Sequence, residues 1–351
     1  MKQKNISIFF LMVLALSMLS ACATAAPTTA PSSLEVAVPT STNVTTTVAS
    51  EDDGGPAGGM MMGAGAIDKS GDTVLQAMIS EVQGKFQQFE YSDSETGKTL
   101  PYNLYVPADY DSSKSYPLVL FIADSSVVGK DLTAPLTQGY GGIIWATEAE
   151  QAKHESFVLV PEYPEVIIDD HGSFTTTDYV ELTARMLNSV TESYSVDTNR
   201  LYGTGQSMGC MTILYLSAKY PDLFAAELFV SGQWDVSTLG NLANQKFFYI
   251  AAEGDDKASA GQAEVVNMLN NAGAKYSTAI WDATWSPDEF TTAVASILSE
   301  GNSINIATFK IGTVLPAGVS VGTSEHMYSF DYAYKVEGVR DWLFAQVKTA
   351  N

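Results

Sequence analysis

The sequence predicts an α/β domain built on a mostly parallel sheet with helices on both faces. Two observations carry this. From about Phe86 onward, short apolar runs alternate with amphipathic stretches, the pattern that builds a parallel sheet from strand–helix units. Several of those runs, such as residues 118–123 and 157–161, are apolar throughout, as in strands buried on both faces.

At the start of the chain, Lys2 and Lys4 precede an apolar run over residues 6–19. It is shorter than the roughly 20 residues a spanning helix needs and suits the apolar core of a signal peptide. The run ends in Leu19-Ser20-Ala21-Cys22, which resembles the lipobox of bacterial lipoproteins. That resemblance implies a signal over residues 1–22 and a lipidated Cys22 at the start of the mature chain. Residues 23–71 are rich in Thr, Ser, Pro, Ala and Gly and hold no aromatic residue. Such a stretch buries too little apolar surface to offset chain entropy, so it reads as a disordered tether. The Met60-Met61-Met62 cluster within it has no nearby histidine or cysteine, and no metal site is expected. Two cysteines in the whole chain exclude a disulfide framework.

The domain then occupies residues 72–351, enough for one sizeable core. Residues 86–91 and 100–106 read as paired strands around Thr96-Gly97-Lys98. Buried strands follow at 118–123 and 157–161, with a helix over 143–153 between them. Residues 178–194 carry Val180, Leu182, Met186, Leu187 and Val190 at helical spacing, with Thr177 or Asp178 at the N-cap. After the strand ending at Tyr202 comes a helix over 208–220. Strands at 223–230 and 247–252 precede a helix over 260–271 that Gly273 stops. Residues 276–281 and 304–310 read as strands around an inserted helix at 287–298. A last helix spans 332–347.

Between the strand ending at Tyr202 and its helix lies Gly203-Thr204-Gly205-Gln206-Ser207-Met208-Gly209. G-x-S-x-G on a strand–turn–helix junction is a nucleophile elbow. The serine is held in a strained conformation that lifts its hydroxyl above the sheet. Gly205 and Gly209 have no side chain to collide with the neighbouring strand and helix. The helix points its first N–H groups at the place where negative charge develops.

An elbow serine needs a base. Of the three histidines, His154, His171 and His326, only His326 follows Ser207, as the order nucleophile, acid, histidine requires. It is expected on a loop before the last helix, within reach of the serine hydroxyl. His154 reads as a helix-end or surface group. The acid should follow a strand between Ser207 and His326. Glu253-Gly254-Asp255-Asp256 does so, with Asp255 the expected acid and Asp256 the alternative. Met208 N–H, with an N–H from Asp124 or Ser125, should form the oxyanion hole. Trp234, His171 and Gln206 are candidates for the substrate pocket. Tyr140 and Trp145 suit either the pocket wall or the core. Cys210 reads as a small buried hydrophobe rather than a second nucleophile.

These residues carry a family resemblance. Val196 to Gly209, Tyr220 to Ala226, Pro117 to Val119 and Glu337 to Gln346 are similar to segments of secreted α/β-hydrolase esterases. That group includes polyhydroxybutyrate-depolymerase-like and feruloyl-esterase-like proteins and a set of predicted peptidases. The similarity runs over about residues 102–346 and is weakest at 281–324. Where many such esterases carry His-Gly, this chain has Ala123-Asp124. The resemblance implies the α/β-hydrolase fold and ester hydrolysis through an acyl-enzyme, with no metal and no organic cofactor.

A formal net charge of −22 argues against nucleic acid and against adhesion to anionic surfaces by charge. The expected protein is an extracytoplasmic serine hydrolase, lipid-anchored to the bacterial cell membrane or secreted. Its expected substrate is a small-molecule or polymer-linked ester. A serine peptidase on the same triad, and an inactive hydrolase-fold binding lipoprotein, are the alternatives.

Overall fold

The computed structural model describes residues 67–320 and 324–348. The signal segment, Cys22 and the tether up to residue 66 lie outside the described residues. Lys69, inside the stretch expected as tether, pairs through Nζ with Asp331 Oδ2 at 2.7 Å.

The first half of the chain gives α1 (Thr73–Val82), β1 (Gln87–Ser92), β2 (Thr99–Tyr105), β3 (Tyr116–Ile122), α2 (Ala134–Thr137), α3 (Glu148–Gln151) and β4 (Phe157–Pro161). A small hairpin, β5 (Ile168–Asp169) and β6 (Thr175–Thr176), precedes α4 (Asp178–Ser193). Then come β7 (Val196–Gln206), α5 (Met208–Lys219), β8 (Ala226–Val230), β9 (Phe247–Ala252) and α6 (Asp256–Ala272). The chain ends with β10 (Ser277–Trp281), α7 (Pro287–Leu298), β11 (Ile304–Phe309), α8 (His326–Lys335) and α9 (Glu337–Phe344).

One nine-stranded sheet runs β1-β2-β4-β3-β7-β8-β9-β11-β10. The pairs β1/β2 and β2/β4 are antiparallel, and the rest of the sheet is parallel. This is the expected architecture, and α7 is the crossover between β10 and β11.

The central strands β3, β4 and β9 are apolar throughout because each feeds two cores. Side chains alternate across a strand. Val119 and Phe121 of β3, Leu228 and Val230 of β8, and Phe248 and Ile250 of β9 face one core, with Leu75, Val294, Phe330 and Leu343 from α1, α7, α8 and α9. Leu118 and Leu120, Phe229, and Phe247 and Tyr249 face the other, with Leu182, Ile213 and Val265 from α4, α5 and α6.

Two expected helices are broken. Residues 143–153 form a 3-10 turn (Ile144–Ala146) and then α3. Thr147 interrupts them in an extended conformation (φ −65°, ψ 150°), its hydroxyl accepting from Glu150 N–H as an N-cap. The last helix is two, α8 and α9, divided at Val336 (ψ 95°). Its first part begins at His326, six residues before the expected start. Because β3, β7, β8, β9 and β11 are parallel, their C-terminal ends share one edge, the place where open α/β sheets bind ligands.

Candidate active site

The elbow is built by backbone sterics. Ser207 joins β7 to α5 at φ 52° and ψ −116°, a conformation L-residues avoid. Its N–H donates to Val230 O at 3.1 Å, which ties the turn to β8. A Cβ on Gly205 would fall inside the backbone of Gly209, and one on Gly209 inside the Ile122 carbonyl. A third glycine, Gly232 in the loop after β8, also makes room. A Cβ there would lie 2.6 Å from Cys210 Cβ and 2.7 Å from Ser207 O.

His326 and Asp255 reach Ser207 from two other helix starts at the same sheet edge. His326 is the first residue of α8, and Asp255 caps the N-terminus of α6, its Oδ1 accepting from Ala258 N–H at 3.2 Å. The other carboxylate oxygen, Oδ2, lies 2.6 Å from His326 Nδ1. A carboxylate only accepts, so Nδ1 carries the proton and Nε2 is left as an acceptor. Ser207 Oγ is 2.8 Å from that Nε2. Asp255 is buried, whereas His326 keeps 24% of its side chain exposed. Asp256, the alternative acid, is exposed on α6 and makes no hydrogen bond to His326.

His326 is also held through its backbone. Ser329 Oγ donates to His326 O at 2.8 Å and sits 2.7 Å from Ser231 Oγ. Ser231, at the end of β8, has a positive φ of 46°. The structure thus places two strained serines on adjacent strand ends, one facing His326 Nε2 and one bracing its helix.

The loop after β3 faces the start of α5. Met208 opens α5, so its N–H is among those a helix leaves without an intrahelical acceptor. Asp124 and Ser125 stand at the facing strand end. The Asp124 side chain, however, is turned inward and buried. Its Oδ1 accepts from Ser126 N–H at 2.8 Å, and its Oδ2 from Gln206 Nε2 at 2.8 Å and from Gln138 Nε2. Gln206, expected in the pocket, is instead buried behind the elbow and bound to Asp124 and Gln138. The reason is the pleat: Ser207 leaves the sheet upward, while Gln206 still follows the strand.

The remaining candidates scatter. His171 stands 69% exposed on the β5–β6 hairpin, with Nδ1 2.5 Å from Asp169 Oδ1 and 3.5 Å from Asp170 Oδ1. Asp170 is further bound by Lys257 and Gln233. Trp234 is buried, with Phe174 edge-on at 5.0 Å. Tyr140 and Trp145 belong to the core, Trp145 lying edge-on to Tyr334 at 6.3 Å. His154 stacks on Phe344 at 4.4 Å and meets Asp341 at 2.8 Å. Burial raises the Cys210 thiol pKa well above its ordinary range, so it holds no thiolate at neutral pH.

Sequence reasoning missed three groups that build this edge: Gln138, Ser231 and Glu325. Glu325 adjoins His326 in the chain, yet its partners Gly254 and Gly312 are 71 and 13 residues away. No local pattern announces such a contact.

No protein-family model and no curated protein matches this chain. Solved structures do. The chain is similar to a thermostable esterase (TM-score 0.62, 24% identity), with 76% of this chain and 64% of that one covered. It is also similar to a mutant of the feruloyl esterase module from Clostridium thermocellum complexed with sinapinate (TM-score 0.51, 12% identity). That match covers 77% of this chain and 92% of the module. The chain therefore spans less than two thirds of the thermostable esterase. At these identities the likeness establishes the α/β-hydrolase fold.

Proposed function

We propose that this chain is an extracytoplasmic serine hydrolase that cleaves carboxylic esters. The observation that carries the reading is the hydrogen-bonded series Asp255–His326–Ser207, ending on a strained serine at a helix N-terminus. Ser207 Oγ attacks the ester carbonyl while His326 Nε2 takes its proton. Asp255 keeps the proton on Nδ1 and stabilises the imidazolium. Met208 N–H and a backbone N–H at Asp124 or Ser125 hold the tetrahedral oxyanion, with the α5 N-terminus adding favourable potential. The imidazolium then protonates the departing alcohol, and water releases the acyl group by the reverse sequence. The buried Asp124 side chain does not oppose this scheme, since the hole needs only backbone donors.

The test is turnover of p-nitrophenyl acetate and butyrate together with labelling by a fluorophosphonate probe. Ser207→Ala should abolish labelling and lower kcat on the order of 10⁵-fold or more. Absence of labelling in the wild type, or equal labelling of the variant, would sink the reading. Cleavage of peptides without cleavage of esters would move the chain to the peptidases.

The Leu19-Ser20-Ala21-Cys22 sequence supports a lipid anchor on Cys22 as the means of attachment. Cys22→Ser should release the domain from bacterial membranes into the soluble fraction. A variant that still sediments with membranes overturns the anchor and leaves the chemistry of Ser207 untouched.

A further inference from the structure

The His326 side of the site contains a second buried carboxylate, which proton transfer does not use. Glu325 is 1% exposed. Its Oε2 accepts from Gly254 N–H at 3.2 Å, and its Oε1 from Gly312 N–H at 2.5 Å. Its own N–H donates to Gly254 O at 3.1 Å. Gly254 immediately precedes Asp255, and Glu325 immediately precedes His326. Gly312 lies in the loop after β11. One residue therefore ties three loops together, and two of them carry the acid and the base.

The seat is specific to a carboxylate. Burying one is costly unless its oxygens find donors, and here both take backbone N–H groups in charge-assisted bonds. An amide would offer one acceptor and set its NH₂ against a backbone N–H. Room for the side chain comes from Gly254. A Cβ there would lie 2.6 Å from Oε1 and 2.7 Å from Cγ of Glu325.

We infer that Glu325 is a positioning residue of this site. By clamping the residues that precede Asp255 and His326, it sets the Nδ1–Oδ2 contact at 2.6 Å and, through the ring, the approach of Nε2 to Ser207. This rests on the reading of Ser207, His326 and Asp255 as a hydrolytic triad. A clamp of this kind acts on the chemical step. A purely structural Glu325 would affect only how much of the protein is folded.

The test compares wild type, Glu325→Gln and Gly254→Ala in the full chain, with rates normalised to sites titrated by the fluorophosphonate. Misplacement of a catalytic group by about 1 Å can cost about 100-fold. Glu325→Gln should thus lower kcat for p-nitrophenyl butyrate about 10- to 100-fold, with KM changed less than about twofold. The downfield proton resonance of His326 Nδ1–H should weaken or move upfield. Gly254→Ala displaces the same carboxylate from the other side and should reproduce both effects, which decides the matter if Glu325→Gln does not fold. Wild-type kcat per titrated site and an unmoved resonance, with only thermal stability lowered, would overturn the clamp. A wild type that neither turns over ester nor labels at Ser207 would instead overturn the triad reading.

Discussion

Ser207 Oγ and His326 Nε2 meet across 2.8 Å, and the two halves of that contact are made in different ways. The Ser207 half is local. A strand, a forbidden turn and a helix run on without interruption from Val196 to Lys219, and glycines at 205 and 209 keep side chains out of the way within it. The His326 half is assembled from distant pieces. Asp255 caps α6, His326 opens α8, and the two are 71 residues apart. Ser231 and Gly312 brace them from two further points of the chain, and Gly254, Glu325 and Ser329 from beside them. The first half is fixed by sterics and tolerates no added atoms. The second is fixed by hydrogen bonds, and its geometry is only as good as each partner.

If that contrast holds, the largest effect away from the serine falls on Asp255. Asp255→Asn should lower kcat on the order of 10⁴-fold with the fold intact, because an amide can no longer hold the Nδ1–H tautomer. Activity within tenfold of wild type, in a variant with a normal circular dichroism spectrum, would remove Asp255 from the triad.

A smaller effect should come from Glu227, a carboxylate on β8 in register with Gly203 of the elbow strand. Both its oxygens are buried without a hydrogen-bond partner, and burial pushes its pKa up from 4.5 to about 8. The fold therefore favours the protonated form. Its contribution to stability is complete below pH 4.5 and is lost as pH rises through about 8. Glu227→Gln should raise the melting temperature by a few degrees relative to wild type at pH 9 and much less at pH 5. A pH-independent difference would refute this assignment. The smallest effect is expected at Asp256, where exposure predicts that Asp256→Asn keeps kcat within about twofold.

The same contrast explains what the sequence could reveal. G-x-S-x-G, the alternating strands and helices, and the lone downstream histidine are patterns within short windows or simple order along the chain, so the fold and the strained elbow at Ser207 could be read. Asp255 could be preferred over Asp256 only by position after a strand; what separates them in the structure is that one caps α6 facing His326 and the other is exposed. Gln206 misled because it neighbours Ser207, although the pleat sends adjacent side chains to opposite sides. His326 was expected in a loop because the turn of helix it opens has little apolar periodicity. Val336 then splits a run that looked continuous. Glu325 and Ser231 were invisible, since their partners come from elements that only the folded sheet brings together.

The close fit between Gly254 and Glu325 has an evolutionary consequence. Neither position can drift alone: a side chain at 254 meets the carboxylate, and a shorter residue at 325 strands the N–H groups of Gly254 and Gly312. Lineages that depart from this arrangement must pass through a paired change, so the two sites should vary together or not at all.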